Sequence, residues 1–252
     1  MCGRYTMSDP QRIVAEFSIL EKQPSLEPRY NVAPSQAIWV VRVLGTGHER
    51  RLDLLRWGLV RPGNAKPGGI VMVRMESLAK GSFASAFRGR RCIFMADGFY
   101  EWRRAAKKSF PYYVRRPGGG PLAMAGIWQP APHGATRVDR DGVVEEAIDS
   151  CAVITRPARP PVDAVHDRMP AIVAPEDRDT WLDPGFGDTA SLARILEKDP
   201  DFELQALAVG PRVNSPANDD PSCVEPAAQD DRKGEQFELW GPRQPPGAKA
   251  RA

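Results

Sequence analysis

Residues 91–103 read RCIFMADGFYEWR, a run of apolar and aromatic residues interrupted by Asp97 and Gly98. Short runs of branched and aromatic side chains favour β-strands, whereas an Asp-Gly pair favours a turn. The stretch therefore predicts two strands that are broken at residues 97–98. Similar runs recur along the chain, so the sequence predicts a fold with a high content of β-sheet.

Further strands and a few helices are predicted on both sides of this stretch. Residues 37–44 and 51–59 flank the polar segment 45–50, an arrangement that is typical of a β-hairpin. Ser8 and Gln11 form a capping box ahead of apolar residues at helical spacing, which predicts a helix over residues 9–17. The other predicted strands are 69–74, 111–116, 122–128, 147–155, 171–174 and 202–209, and the other predicted helices are 76–87, 175–182 and 189–199.

The order of these elements predicts an α+β fold. Strands and helices do not alternate regularly, as they would in a doubly wound α/β protein. A mixed, largely antiparallel, curled or barrel-like β-sheet flanked by a few helices fits better. We expect a single domain over residues 1–218, followed by a polar, proline-rich C-terminal tail at 219–252 that is mobile.

Composition excludes several classes of function. No apolar run reaches the ~20 residues that a membrane span requires, so no membrane partner is expected. The four cysteines lack CxxC spacing and make a poor zinc set with the three histidines, so we expect neither a metal nor a cofactor. Without a signal peptide, the isolated cysteines indicate a cytoplasmic protein. The net charge of +3 does not by itself indicate a nucleic-acid partner, and without an apolar interface stripe we expect a monomer.

The cysteine at position 2 carries distinctive chemistry. Methionine aminopeptidase accepts a small second residue, so removal of Met1 would leave Cys2 with a free α-amine beside its thiol. Such an amine is about 14% unprotonated at pH 7, against about 0.04% for a lysine side chain. Attack on an aldehyde gives an imine, which the thiol can close to a five-membered thiazolidine. Gly3 leaves room beside this residue, and Arg4 can hold an anion nearby.

Seven short motifs run through the chain between residues 1 and 219. They are MCGRY (1–5), RYNVAPSQ (29–36), RWGLV (56–60), RCIFMADGFYEW (91–102), AGIW (125–128), VHDRMP (165–170) and VNSPAND (213–219). In combination and order they resemble the SOS-response-associated peptidase (SRAP) family, the abasic-site-processing proteins.

The resemblance implies a protein that binds single-stranded DNA at an abasic site and crosslinks itself to the sugar aldehyde through Cys2. The thiazolidine would protect the lesion during the DNA damage (SOS) response, with the protein associated with the nucleoid while bound. Removal of Met1 by the protein itself and lyase activity at abasic sites are further activities that the resemblance implies.

Two acid–base residues accompany Cys2. Glu101 stands between Tyr100 and Trp102, a setting that would desolvate a carboxylate and raise its pKa. By resemblance Glu101 positions and activates the Cys2 terminus; the alternative is a salt bridge to a neighbouring arginine. His166 has the side chain best suited to proton transfer near neutral pH. By resemblance it assists sugar ring opening and Schiff-base chemistry, and the alternative is a structural histidine.

An abasic nucleotide has no base to read, so recognition must rest on phosphates, neighbouring bases and the aldehyde. By resemblance, the candidates for phosphate contacts are Arg4, Arg74 and Arg168. Pro34 and Trp57 would form an apolar platform beside the lesion, although a core position for Trp57 is an open alternative. Asn31 and Thr155 would supply hydrogen bonds.

One departure from the family pattern lies at residues 72–77. The family usually has N-A-R-x-E-S/T, whereas this chain has Met72 in place of the asparagine. A thioether is a weak acceptor and cannot donate, so a polar contact is lost. The adduct would then form more slowly, another group such as Asn31 would compensate, or the protein would act on a different aldehyde. The resemblance says little about the insert at 130–146 or the C-terminal tail.

Two other functions remain open at this stage. Class II glutamine amidotransferases also begin Met-Cys-Gly and use the Cys2 amine as the base for its own thiol. They usually continue with a hydrophobic residue rather than Arg4, and they do not need the GFYEW and HDRMP motifs. A noncatalytic single-stranded-DNA-binding module, whose Cys2 chemistry has decayed through Met72, is the other alternative.

Overall fold

The described part of the chain contains fourteen strands and four helices, seen in a computed structural model that describes residues 3–19, 25–45, 47, 49–60, 68–105, 108–132, 136–138 and 144–228. The strands are β1 (Tyr5–Met7), β2 (Arg29–Val32), β3 (Ala37–Arg42), β4 (Arg51–Trp57), β5 (Met72–Arg74), β6 (Arg91–Ala96), β7 (Gly98–Ala105), β8 (Lys108–Arg115), β9 (Leu122–Gln129), β10 (Thr136–Val138), β11 (Val144–Glu146), β12 (Ser150–Pro157), β13 (Arg168–Pro170) and β14 (Gln205–Ala208). The helices are α1 (Pro10–Glu16), α2 (Ala84–Gly89), α3 (Arg178–Leu182) and α4 (Thr189–Glu197).

The larger sheet curls into a ring. β12, β4, β3, β6 and β9 follow one another, and β12 closes the ring because it pairs with both β4 and β9. β12 also pairs in parallel with β5 and in antiparallel with β13. The pairings are otherwise mostly antiparallel, and together with the helices they confirm the predicted α+β fold.

The second sheet contains five antiparallel strands in the order β14-β8-β7-β1-β2. Its long central pair, β7 and β8, is in register from Gly98↔Arg115 to Ala105↔Lys108. β10 and β11 form a separate two-stranded ribbon within the predicted insert.

Residues 91–103 connect these two sheets. β6 pairs with β3 and β9 in the ring, whereas β7 pairs with β1 and β8 in the second sheet. The break at Asp97 is fixed from the N-terminal segment: the Asp97 carboxylate accepts hydrogen bonds from the Ser8 amide at 2.7 Å, the Ser8 hydroxyl at 2.5 Å and the Asp9 amide at 3.1 Å. The chain therefore changes sheets at the predicted break, where donors of Ser8 and Asp9, together with the Thr6 hydroxyl, hold it.

The core contains an aromatic cluster where β1 meets the ring. The Trp57 ring centroid lies 5.5 Å from that of Tyr5 and 5.8 Å from that of Phe94. Trp57 is only 1% exposed, and its indole donates to the Val71 carbonyl at 2.9 Å. Such close-packed aromatic rings stabilise a core beyond the area that they bury. Within the described ranges, no helix has both the length and the apolar composition needed to cross a bilayer.

Several predicted elements are confirmed and others need correction. The hairpin of β3 and β4 and the helix α4 lie where they were expected. The predicted helix 76–87 is wrong: two 3-10 turns precede the short α2, because Gly81 has φ +61° and interrupts the helical geometry. The predicted strand 171–174 is reduced to one bridge between Ile172 and Met124. Asp9, not Ser8, caps α1, because Ser8 is bound to Asp97.

The packed part of the chain extends past the expected boundary at 218. Asp219 accepts hydrogen bonds from the amides of Tyr30 and Asn31, Cys223 is buried, and the Ala227 amide donates to the Ala208 carbonyl at 3.0 Å. Residues 219–228 are thus part of the folded unit. The remainder of the predicted tail, 229–252, lies outside the described residues.

Replacing Gly98 with alanine is expected to destabilise the protein. A Cβ at this position would lie well inside the contact distance of three atoms of the Tyr113 side chain. That ring cannot move freely, because its centroid is 5.1 Å from that of Tyr100 and its hydroxyl is 2.9 Å from Thr6 Oγ1. Urea denaturation should show a loss of about 1–3 kcal/mol, as for other overpacked cores.

Gly187→Ala is the matched control, since a Cβ there would meet no atom within 4 Å. Its unfolding midpoint should equal or slightly exceed that of the wild type, because alanine restricts the unfolded chain. Equal stabilities for the two alanine variants would contradict the packing described for the start of β7.

Candidate active site

Glu101 occupies a fully buried position on β7. Burial raises the pKa of its carboxyl from 4.5 to about 7, because the charged form loses its hydration. The rise and its cause, desolvation, were expected, but the flanking aromatic rings do not provide it. The Tyr100 and Trp102 rings lie 6.4 Å apart and share one face of β7, and side chains alternate along a strand, so Glu101 points to the other face.

The start of the chain passes beside this strand. Tyr5 pairs with Phe99 and Thr6 with Gly98, and the Tyr100 amide donates to the Arg4 carbonyl at 3.0 Å. This antiparallel register carries the residues before Tyr5 along β7 in the direction of Glu101. Cys2 itself lies outside the described residues, so its predicted place beside Glu101 stays a prediction.

The segment 166–168 approaches the same carboxyl. The negative charge of Asp167 is among the causes that raise the pKa of Glu101, and Arg104 on β7 contributes to lowering the pKa of His166. Burial is the largest cause of that lowering, so His166 favours the neutral form. Glu101 and His166 are therefore linked through charged neighbours: Asp167, next to His166, acts on Glu101, and Arg104, on the strand of Glu101, acts on His166.

The ring of His166 has a defined proton position. Its Nδ1 accepts a hydrogen bond from the Arg168 amide at 3.0 Å, so the neutral ring carries its proton on Nε2. Asp167 Oδ1 lies 2.9 Å from the same Nδ1 and would accept a hydrogen bond from it only if Nδ1 carried a proton, in the other neutral tautomer or in the imidazolium form. The lowered pKa of His166 disfavours the imidazolium, and a proton on Nδ1 would face the hydrogen of the Arg168 amide, so the amide contact favours the tautomer with the proton on Nε2. In this form Nε2 is available as a hydrogen-bond donor.

Thr155 and two of the predicted phosphate ligands lie together where β5, β12 and β13 meet. Thr155 stands opposite Arg74 on one side and Pro170 on the other. Arg168 makes a bidentate ion pair with Glu76, at 2.7 and 3.0 Å, and donates to the Thr155 carbonyl at 2.5 Å. Arg168 is thus largely committed inside the protein, whereas Arg74 is exposed.

Three predicted DNA contacts need correction because their side chains are buried. Trp57 belongs to the core, so the core alternative is confirmed and its ring offers no platform. Asn31 and Thr155 have no exposed surface, and the Asn31 amide already donates to three backbone carbonyls. Pro34 is partly exposed in the turn between β2 and β3, where the platform stays a prediction.

The sequence interpretation missed three charged residues at this site. Asp167 borders His166, Glu76 orients Arg168, and Arg104 is exposed close enough to influence His166. Glu76 and Asp167 lie inside the quoted motifs, but their pairings join distant parts of the chain. Among the described residues, no group of three or more His, Cys, Asp or Glu side chains is arranged to hold a metal ion.

Comparisons of the sequence with known proteins indicate one family. A model of the SOS response associated peptidase (SRAP) family matches residues 1–216. The chain is 34% identical over 235 residues to abasic site processing protein YoqW of Bacillus subtilis, covering 89% of this chain and 99% of the relative. It is 28% identical over 243 residues to abasic site processing protein HMCES of Xenopus tropicalis, covering 82% and 69%.

A similar fold occurs among solved structures. A crystal structure of a protein from Bacteroides thetaiotaomicron superimposes with a TM-score of 0.69 at 21% identity, covering 90% of this chain and all of the other. At that identity the likeness supports the fold alone.

Glu101→Gln is expected to change how stability depends on pH. In the wild type the folded carboxyl holds its proton up to pH about 7, whereas the unfolded one ionises near its ordinary 4.5. The free energy of unfolding should therefore fall, relative to that of the variant, as pH rises from 4.5 to above 7. The expected loss is on the order of 3 kcal/mol, measured by urea denaturation at a series of pH values.

Glu76→Gln provides a control of opposite sign. The hydrogen bond from Arg168 lowers the pKa of Glu76, so its contribution is present above pH 4.5 and is lost as pH falls. If the free energies of unfolding of the wild type and Glu101→Gln change in parallel between pH 4.5 and pH 7, Glu101 is not desolvated.

Proposed function

Because this chain belongs to the SOS response associated peptidase (SRAP) family, we propose that it processes abasic sites in DNA. The finer proposal is a covalent crosslink in single-stranded DNA between Cys2 and the ring-opened sugar. Relatives named as abasic site processing proteins match nearly the whole chain, which supports the substrate class.

One observation carries the chemical part of the proposal. A fully buried carboxyl with a pKa of about 7, Glu101, lies on the strand along which the chain start runs. Near neutral pH such a group both accepts and returns a proton, as amine addition to an aldehyde requires. An ordinary surface glutamate would be too weak a base to do so.

The proposed reaction has two bond-forming stages. The α-amine of Cys2 attacks the aldehyde carbon, Glu101 carries the two amine protons in turn to the carbonyl oxygen, and this oxygen leaves as water to give an imine. The Cys2 sulfur then adds to the imine carbon, and the thiol proton ends on the nitrogen, which closes the thiazolidine. His166, with its proton on Nε2, donates a hydrogen bond to the sugar ring oxygen as the ring opens, while the proton of the anomeric hydroxyl passes to that oxygen and leaves the aldehyde.

DNA is proposed to lie over the exposed arginines near this carboxyl. Arg74 and Arg104 are both exposed, and both influence groups of the site: the Arg74 charge lowers the pKa of Glu76, and the Arg104 charge lowers that of His166. Phosphate contacts of this kind position a strand without reading bases. A cytoplasmic, nucleoid-associated monomer of the SOS response remains part of the proposal, as do release of Met1 by the protein itself and lyase activity.

Mixing the purified protein with single-stranded DNA that carries one abasic site should give a product that survives heat and SDS. Cys2→Ala and Cys2→Ser both keep the α-amine and lose the thiol, so each should abolish this product and give a stable one only after borohydride reduction of the imine. Glu101→Gln and His166→Ala should each slow its formation, by about 100-fold for a lost proton transfer.

DNA without the abasic site is the matched control and should bind without crosslinking. Noncovalent binding alone by the wild type would favour the noncatalytic DNA-binding module, and glutamine hydrolysis without any adduct would favour the amidotransferase. Retention of Met1 in the intact mass would block the α-amine and contradict the thiazolidine.

Met72→Asn is expected to speed crosslinking. Met72 lies on β5 opposite Val153, two residues before Arg74, and its thioether cannot donate a hydrogen bond. Asparagine would restore a donor worth about 1 kcal/mol, or roughly a fivefold gain in rate at saturating DNA. Met72→Leu, which lacks polar atoms, is the control and should match the wild type; equal rates for all three would show that this position does not contact the reacting group.

A further inference from the structure

The guanidinium of Arg4 is bound by protein carbonyl groups. Its Nη1 donates to Asn31 Oδ1 at 2.9 Å and to the Val213 carbonyl at 2.8 Å, and its Nη2 donates to the Asn214 carbonyl at 3.3 Å. Three of the five guanidinium donors thus point into the protein. Arg4 was predicted to contact a DNA phosphate, whereas here these donors bind acceptors of the protein itself.

Residues 213–219, here called the strap, provide most of these acceptors. Asn31, which is fully buried, donates to the carbonyls of Val213, Ser215 and Asn218 at 3.1, 2.9 and 2.7 Å. Asp219 then accepts from the Tyr30 and Asn31 amides at 2.6 and 2.7 Å. β2 therefore holds the strap along its whole length.

The strap is also fixed to the strand that carries Glu101. The indole of Trp102 donates to Asn214 Oδ1 at 2.7 Å, and Val213 is buried in the small cluster around Tyr100. The same strand holds the Arg4 backbone, because the Tyr100 amide donates to the Arg4 carbonyl at 3.0 Å. Arg4 is thus held at two points: β7 binds its backbone, and the strap binds its side chain.

We propose that Arg4 is a positioning residue. The strap and Asn31 hold its side chain, so that the chain start leaves β7 at Glu101 and the Cys2 α-amine is directed at the Glu101 carboxyl. This inference rests on the proposed function. Two residues, or about 7 Å of extended chain, take the backbone from Arg4 back to the Cys2 amine. A free chain end of that length would sample many directions, whereas reaction requires approach of the amine within about 3–3.5 Å.

The proposal separates Arg4 from Arg74, which is exposed and stays the proposed phosphate ligand. Arg4→Ala and Arg4→Lys should leave the affinity for undamaged single-stranded DNA, and its dependence on salt, close to those of the wild type. Both variants should slow crosslinking at saturating abasic DNA by about 10- to 100-fold, the usual cost of misplacing a reacting group. Lysine keeps the charge but lacks the planar fork that reaches Asn31 and two carbonyls together.

Arg74→Ala is the matched control. It should weaken binding of undamaged DNA and reduce the slope of log affinity against log salt by about one. An Arg4→Ala variant that behaves like Arg74→Ala would overturn the proposal, as would Arg4→Lys with full crosslinking activity.

A measurement without DNA distinguishes failure of this inference from failure of the proposed function. The wild type and Arg4→Lys are treated with benzaldehyde, and thiazolidine formation at Cys2 is followed by mass spectrometry, with amide exchange of residues 213–218 recorded in parallel. Slower thiazolidine formation and faster amide exchange in Arg4→Lys support the positioning role of Arg4, even if abasic DNA gives no crosslink. Unchanged reaction and unchanged exchange would contradict it, and thermal unfolding shows whether each variant is folded.

Discussion

The carboxylate of Asp97 determines how the two sheets of this protein are joined. A buried carboxylate is costly unless donors surround it, and here the Ser8 amide, the Ser8 hydroxyl, the Asp9 amide and the Thr6 hydroxyl all point to it. These donors come from the end of β1 and the start of α1, whereas Asp97 stands between β6 and β7. One charged group therefore fixes the strand break, the change of sheet and the position of the N-terminal strand.

The candidate active site follows from that constraint. Once β1 lies against β7, its register sets Arg4 beside Tyr100 and directs the backbone toward Glu101, which lies on the face opposite Tyr100 and Trp102. The ring contributes β12 and β13, whose pairing sets Thr155 beside Arg168, and the segment before β13 carries Asp167, whose charge acts on Glu101. The second sheet thus supplies the buried carboxyl, and the ring side supplies a charge that acts on it.

The local sequence pattern was sufficient to predict much of the fold but less of the candidate site. Runs such as 91–103 and 37–44 predicted strands because branched and aromatic side chains favour them, and the break at Asp97 followed from turn chemistry. The helix predicted at 76–87 failed at Gly81, whose positive φ no periodicity argument detects. The raised pKa of Glu101 and its cause, desolvation, were anticipated, but alternation along β7 puts its flanking aromatic side chains on the other face.

Long-range pairing explains the remaining differences. Asn31, Arg4 and Arg168 have the polar groups expected of DNA ligands, but partners such as Val213 and Glu76, far away in sequence, engage them inside the protein. No local pattern shows whether an arginine faces a phosphate or a carbonyl. Trp57 illustrates the same limit, because its burial depends on Tyr5 and Phe94 from two other strands.

The central claim is that the fold keeps a buried carboxyl half-protonated near neutral pH beside the start of the chain. The most direct test is an NMR titration of the side-chain carboxyl carbon of Glu101 in protein labelled at glutamate, with Glu101→Gln to assign the signal. The account predicts a midpoint at pH about 7. A midpoint near the ordinary value of 4.5 would contradict it, because the carboxyl would then be ionised and too weak a base for the proposed chemistry.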